Sequence, residues 1–211
     1  MMQELTIALP KGRLLEKSLQ TLAAAGLSFP DAHADSRRLM FNDTRKWTRA
    51  ILVKPVDVVT YVEHGAADVG IVGEDVVRES AVDVLQPLTL PFGQCRIVVA
   101  GRPDQRDLNF RLLTNLRVAT KYPRLTRTHF LQRGLSAELI ALSGSIELAP
   151  AIGLADLLVD VVDTGRTLKE NGLIELETIM RCFACVIVNR ASQVIKTDSI
   201  NQLLGGVASN Q

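Results

Sequence analysis

"DLLVDVVDTGRTLKENG", Asp156 to Gly172, is the stretch on which the fold turns. It reads as a strand ending at Val162, a loop from Asp163 to Thr167, and a helix. That is the layout of an anion site. N–H groups at a helix start point outward, and the helix dipole favours negative charge there. Gly165 lets the backbone approach a phosphate, and Thr164 and Thr167 offer hydroxyl donors. The spacing is not that of a Walker loop. Carboxylates repel phosphate, so Asp160 and Asp163 need another partner. Ribose hydroxyls are donors that an acid can hold, and a ribose 5-phosphate unit answers both needs. The competing reading is that Asp163 or Thr164 merely caps the helix.

Outward from this unit, short β-rich runs alternate with amphipathic ones. "LTIALP" reads as a strand, and "GRLLEKSLQTLAAAG" as a helix closed by Gly26. "RLMFND" and "TRAILVK" read as strands around the polar turn "DTRKW". "VDVVTYVEHG" is a helix, "ADVGIVG" a buried strand, "EDVVRES" a helical turn, and "VLQPLTLPF" and "QCRIVVAGR" are extended. The polar segment "PDQRDLNFRLLTN" marks a connection. A second cycle follows: "LRVATKY" strand, "PRLTRTHFLQRG" helix, "AELIALSG" strand and "IELAPAIGLA" helix, then the opening unit. "LIELETIMRCFACVIVNR" is long and extended, and "TDSINQLLGGVASNQ" closes the chain as a capped helix with a loose tail. The pattern predicts an α/β protein of two lobes, each a mixed or parallel sheet with flanking helices. Residues 1–90 with 178–211 form the first lobe and residues 91–177 the second, with a ligand expected in a cleft.

The 211 residues carry a net charge of +1, so no global field gathers nucleic acid or an anionic membrane, and any anion site is local. No apolar run reaches the length of a membrane span. The start "MMQELTIALPKGRLLEK" lacks the features of a signal peptide, so a cytoplasmic protein is expected. Cys182 and Cys185 form a C-x-x-C, but in a strand residues three apart point to opposite faces. With no second pair and with His33, His64 and His129 scattered, the thiols read as buried small hydrophobes and no protein metal site is expected.

"ELAPAIGLADLLVDVVDTGRTL" resembles the signature of the ATP phosphoribosyltransferase family: a Glu, a Gly six on, a small residue two further, an Asp near the strand end, and [Ser/Thr]-Gly-x-Thr-[Leu/Met]. Here these are Glu147, Gly153, Ala155, Asp160, Thr164, Gly165, Thr167 and Leu168. Leu158 stands where Ile or Val is usual, which keeps an apolar strand position. "LTIALPKGRLLE", "DVVTYVEHGAADVGIVGEDVV", "LRVATKYP" and "SGSIELAP" resemble other family segments, so the likeness covers nearly the whole chain. It implies a fold resembling the type II periplasmic-binding-protein-like one. The chain resembles the family's short form, which lacks a C-terminal regulatory domain and works with a subunit similar to a histidyl-tRNA synthetase core. The resemblance implies a catalytic homodimer inside a hetero-octamer. The implied reaction opens histidine biosynthesis: N1 of ATP's adenine joins C1 of phosphoribosyl pyrophosphate (PRPP), with Mg2+ travelling on the substrate phosphates.

Adenine N1 has a free lone pair, so the task is positioning and charge neutralisation, not proton abstraction. Lys11 and Arg13 flank Gly12 in "LPKGRLL", and Arg13 can fork onto phosphate oxygens. Surface pairing is the ordinary fate of such a cation. Arg37 is expected on pyrophosphate with Arg38 as its second, although a charged pair before a strand also discourages edge aggregation. The expected catalytic residues are therefore Arg13, Arg37 and Lys11. The resemblance puts Lys121 and Tyr122 near nucleotide; a surface Lys and a half-buried Tyr are the alternative. Glu147 and Asp160 are the expected ribose acceptors, beside Asp163, Thr164, Gly165, Arg166 and Thr167 for PRPP. Asp68, Gly73 and Asp75 would shape the adenine side, Asp75 equally as a cap. The competing functions are a two-lobed small-solute binder and a nucleotide-sensing regulator. The sequence has neither an export signal for the first nor a DNA-reading helix pair or basic stripe for the second.

Overall fold

Side chains of β1 (Leu5–Pro10) alternate between two cores: Leu5, Ile7 and Leu9 enter one, and Ala8 the other. The computed structural model describes residues 3–33, 36–45, 47–107, 110 and 115–209. Of the stretches read above, residues 1, 2, 46, 108, 109, 111–114, 210 and 211 lie outside the described residues.

After β1 come α1 (Leu15–Ala24), β2 (Met40–Asn42), β3 (Thr48–Val53), α2 (Pro55–Glu63), β4 (Val69–Gly73), α3 (Glu74–Ser80) and β5 (Leu85–Thr89). Gly26 ends α1 at φ +87°, while the Leu27 N–H reaches back to Leu22 O. Then follow β6 (Cys95–Gly101), β7 (Leu116–Thr120), α4 (Pro123–Gln132), β8 (Ala137–Ala141), α5 (Leu148–Ala151), β9 (Leu157–Val162), α6 (Arg166–Glu170) and β10 (Ile174–Cys182). The chain closes with β11 (Ala184–Val188), α7 (Arg190–Ile195) and α8 (Thr197–Ala208).

Two units result, residues 1–93 with 183–211 and residues 94–182. In the first, the sheet order is β2-β3-β1-β4-β11-β5, parallel from β3 through β4 and antiparallel outside. The buried carboxylate of Asp68 braces this unit. It accepts from the Thr6 N–H at 2.8 Å, the Ser192 hydroxyl at 2.7 Å and the Lys196 ammonium at 2.9 Å. Asp68 therefore serves this internal network, not the adenine side expected for it.

In the second unit the order is β10-β6-β9-β7-β8, with β7 parallel to both neighbours and β6 antiparallel to both. β10 pairs with β6 along its whole length, from Ile174 to Cys182. The boundary placed at 177/178 falls inside this strand, and the chain leaves the unit only at Phe183. There the extended run breaks, because Glu74 captures the Phe183 backbone on both sides. Its carboxylate accepts from the Phe183 N–H, and its own N–H donates to Phe183 O.

Three elements differ from their sequence reading. α5 covers four residues instead of ten, ending before Gly153, which takes φ +74°. α7 was not anticipated; the Asn189 side chain caps it by accepting from the Ser192 N–H. The side-chain cap expected for the last helix is absent from α8, whose first residue is Thr197. The Thr197 hydroxyl instead turns back to Gln193 O and Val194 O.

Candidate active site

β9 builds the site by strand parity. Leu157 and Val159 enter the core beneath α4, and Val161 packs against the same core. Leu158 and Val162 enter the core that holds Ile146, Ala149 and Leu168. Asp160 stands on the Leu158 side, so the strand delivers its carboxylate toward α5 and α6. The start of β9 is anchored to β7, with Asp156 accepting from the Arg117 N–H at 2.8 Å and from its guanidinium at 3.3 Å. Partial burial pushes the Asp156 carboxyl up, but these Arg117 contacts outweigh it and hold the pKa below the usual value.

A cavity of about 190 Å³ opens at the other end of β9, lined by Glu147 and the run from Asp160 to Leu168. Glu147 stands at the N-cap of α5, and buried Leu168 anchors α6. That burial contributes roughly 1.5–3 kcal/mol. Asp160 Oδ1 accepts from the Val161 N–H at 2.7 Å, which orients the carboxylate. Gly165 takes φ +78° and occupies the N-cap position of α6, where it has no side chain to cap with. Thr164 Oγ1 lies 3.4 Å from the Arg166 N–H, a long contact for a cap. The Arg166 side chain turns away to Glu170 at 2.7 Å, leaving only its backbone to the loop.

Sequence reasoning missed Arg96 and Glu175. Arg96 donates through Nε to Glu175 Oε2 at 2.9 Å and through Nη2 to Oε1. Its Nη1 donates to the Asp163 carbonyl at 3.0 Å. The Glu175 hydrogen bond raises the Arg96 pKa. A larger depression of about 480 Å³ lies beyond Asp163, lined by Gln94, Cys95, Arg96, Asp163, Thr178 and Arg181.

The remaining expected residues fall as follows. Lys121 is exposed at the end of β7. Tyr122 is 5% exposed, its ring in the core with Phe130 and Val118. That ring serves packing. In the first unit, Lys11, Gly12 and Arg13 form the loop after β1, with Gly12 at φ +92° and the Lys11 N–H on Val53 O. Arg37 and Arg38 are exposed before β2, Arg38 over the Phe41 ring at 5.5 Å. A Cβ on Gly73 would meet Asp75 Oδ1 at 2.1 Å, so that carboxylate lies against the open side of the glycine. Cys182 ends β10 and Cys185 lies in β11, so the break at Phe183, and not the parity of one strand, puts the two thiols in separate cores, with neither in a disulfide. Among the described residues no group of three or more His, Cys, Asp and Glu is placed to hold a metal. No helix there is long and apolar enough to cross a membrane.

A family model described as ATP phosphoribosyltransferase (HisG) matches residues 54–209. An ATP phosphoribosyltransferase of Geobacillus sp. (strain WCH70) is 48% identical over 200 residues, covering 95% of each chain. Among solved structures, the ATP phosphoribosyl transferase (HisG:HisZ) complex from Thermotoga maritima contains a chain 35% identical to this one. It covers 97% of both chains with a TM-score of 0.84. The alkanesulfonate-binding protein SsuA from Xanthomonas axonopodis pv. citri is 14% identical with a TM-score of 0.60, covering 97% of this chain and 71% of its own, a likeness of fold alone.

Proposed function

This chain belongs to the ATP phosphoribosyltransferase family, and we propose that it transfers the phosphoribosyl group of PRPP to N1 of ATP, releasing pyrophosphate. It is an enzyme of the family whose reaction opens histidine biosynthesis. The reading of its chemistry rests on one observation: Glu147, Asp160 and the Thr164–Thr167 loop line a single cavity. In this proposal the loop's N–H groups and threonine hydroxyls hold the 5-phosphate, and the two carboxylates accept from the ribose hydroxyls. The adenine N1 lone pair then forms the bond to C1 as the C1–oxygen bond to pyrophosphate breaks. Both electrons of that bond leave with the pyrophosphate. Positive character grows on the sugar during this step, and nearby carboxylates favour it. Lys11, Arg13 and Arg37 are proposed to neutralise the departing anion, with Arg38, Lys121 and the Gly12 backbone assigned to the polyphosphates.

Magnesium fits as a companion of the substrates. The cavity offers hard carboxylate oxygens but no dedicated cage, and Mg2+ is ordinarily held by one or two carboxylates plus substrate phosphates. When bound it would supply further charge to the leaving pyrophosphate. The Thermotoga maritima complex pairs HisG with HisZ. We extend that arrangement to this chain as a hetero-oligomer with a histidyl-tRNA-synthetase-like subunit, working in the cytoplasm.

The test mixes the purified chain with its partner subunit, ATP, PRPP and Mg2+. Pyrophosphate and N1-(5-phosphoribosyl)-ATP are expected in equal amounts. Tight binding of both substrates with no turnover would replace this reading with that of a small-solute binder.

A further inference from the structure

Arg96 is the single charged residue of β6, "CRIVVAG", and its side chain reaches across two neighbouring strands. On one side it forks onto Glu175 of β10 with two hydrogen bonds; on the other it donates to the carbonyl of Asp163, just past the end of β9. The ion pair lies against the glycine of the loop: a Cβ built on Gly165 would stand 3.2 Å from Glu175 Oε1 and 3.8 Å from Arg96 Nη2. A peptide unit is planar and trans, so holding the Asp163 carbonyl toward Arg96 turns the Thr164 N–H the opposite way. Glu175 in turn fixes the plane of the guanidinium. A lysine could reach one of these acceptors but could not present the same fork to the carboxylate. Both side chains are about one-third exposed, at 32% and 30%, so solvent screens the pair and its worth to global stability is small.

We propose that Arg96 and Glu175 are positioning residues for the phosphoribosyl group, a strut that sets the Asp163–Thr164 peptide and the Gly165 turn in the shape that receives the 5-phosphate. The inference rests on the reading of residues 160–168 as the loop that holds that phosphate. Neither residue touches the substrate in this scheme; each acts through the loop.

The experiment uses the full chain with its partner subunit and compares Arg96→Lys, Glu175→Gln and the double variant. PRPP binding is measured by titration calorimetry with Mg2+, alongside steady-state kinetics. Each single change is expected to weaken PRPP binding about tenfold, from the loss of one charge-assisted contact. The KM for ATP and the melting temperature should stay near those of the parent. Amide hydrogen exchange over residues 164–168 should quicken. The double variant should be no weaker than the weaker single, because both changes break one device. Unchanged PRPP affinity overturns the strut. So does an equal loss for ATP and PRPP with a falling melting temperature, which marks a general structural role. Thr167→Ala separates the two levels. If it weakens PRPP binding while Arg96→Lys and Glu175→Gln do not, the loop reading stands and the strut falls. If Thr167→Ala leaves PRPP affinity intact, the loop reading fails and the strut with it.

Discussion

His129 Nε2 stands 3.3 Å from Glu177 Oε2, while Arg133 holds the other oxygen of that carboxylate. Arg133 Nη1 also lies 3.2 Å from His129 Nδ1. An arginine can only donate, so the ring accepts at Nδ1 and carries its proton at Nε2, directed at Glu177. A neutral ring thus ties α4 to β10. Burial, and then the Arg133 charge, push the His129 pKa down to about 4 from 6.5. Between those values the unfolded chain binds a proton that the folded one does not, so stability rises with pH. The contribution is complete above pH 6.5 and is lost as pH falls toward 4. Urea unfolding of the parent should lose roughly 2 kcal/mol more than His129→Gln between pH 7 and pH 5. Equal losses in the two proteins would show that the ring does not carry this acid sensitivity.

Asp160→Asn keeps the oxygen that accepts from the Val161 N–H but removes the charge. The variant should fold normally and lose roughly 10- to 100-fold in kcat/KM for PRPP, the scale of one hydrogen bond to a charged group. Steady-state kinetics checks the size, and far-UV circular dichroism checks the fold.

Gly165→Val with Thr167→Ala attacks the loop twice. A β-branched residue at φ +78° is strained, and its Cβ meets the Glu175 carboxylate. PRPP affinity by calorimetry should fall by more than about 100-fold; the fold should survive, with the melting temperature lowered by a few degrees by the strain of about 1–3 kcal/mol at residue 165.

Lys196→Met removes one of three donors to the buried Asp68 carboxylate. Full loss of a buried pair costs about 3–5 kcal/mol. With two donors left and Lys196 27% exposed, the expected cost is about 2 kcal/mol, read by denaturant titration. Activity at low temperature should be unchanged.

Cys95, Cys182 and Cys185 are buried thiols outside any disulfide, and burial pushes the Cys185 pKa up to about 12. A thiol-reactive dye should label none of them in the native protein within minutes and all three after denaturation.

The sequence made β9, its loop and the start of α6 legible because each carries a local signal: apolar strand, glycine turn, amphipathic helix. Most other strands and helices were legible for the same reason. The Arg96–Glu175 pair was not. Glu175 pairs in register with Ala100, four residues along β6, and two bulges interrupt the β6–β10 ladder. No spacing rule reaches across such a shift. Tyr122 reads two ways in the sequence because a strand end offers both a site and a core. The break at Phe183 depends on Glu74, more than a hundred residues away in the chain.

The parity of β9 also constrains how this gene can drift. Exchanging one aliphatic residue of the strand for another leaves every side chain pointing where it did, as Leu158 illustrates. Deleting or adding a single codon between Leu157 and Asp160 would rotate the acid into the opposite hydrophobic layer and put an aliphatic in its place. Length is therefore under stricter selection here than spelling.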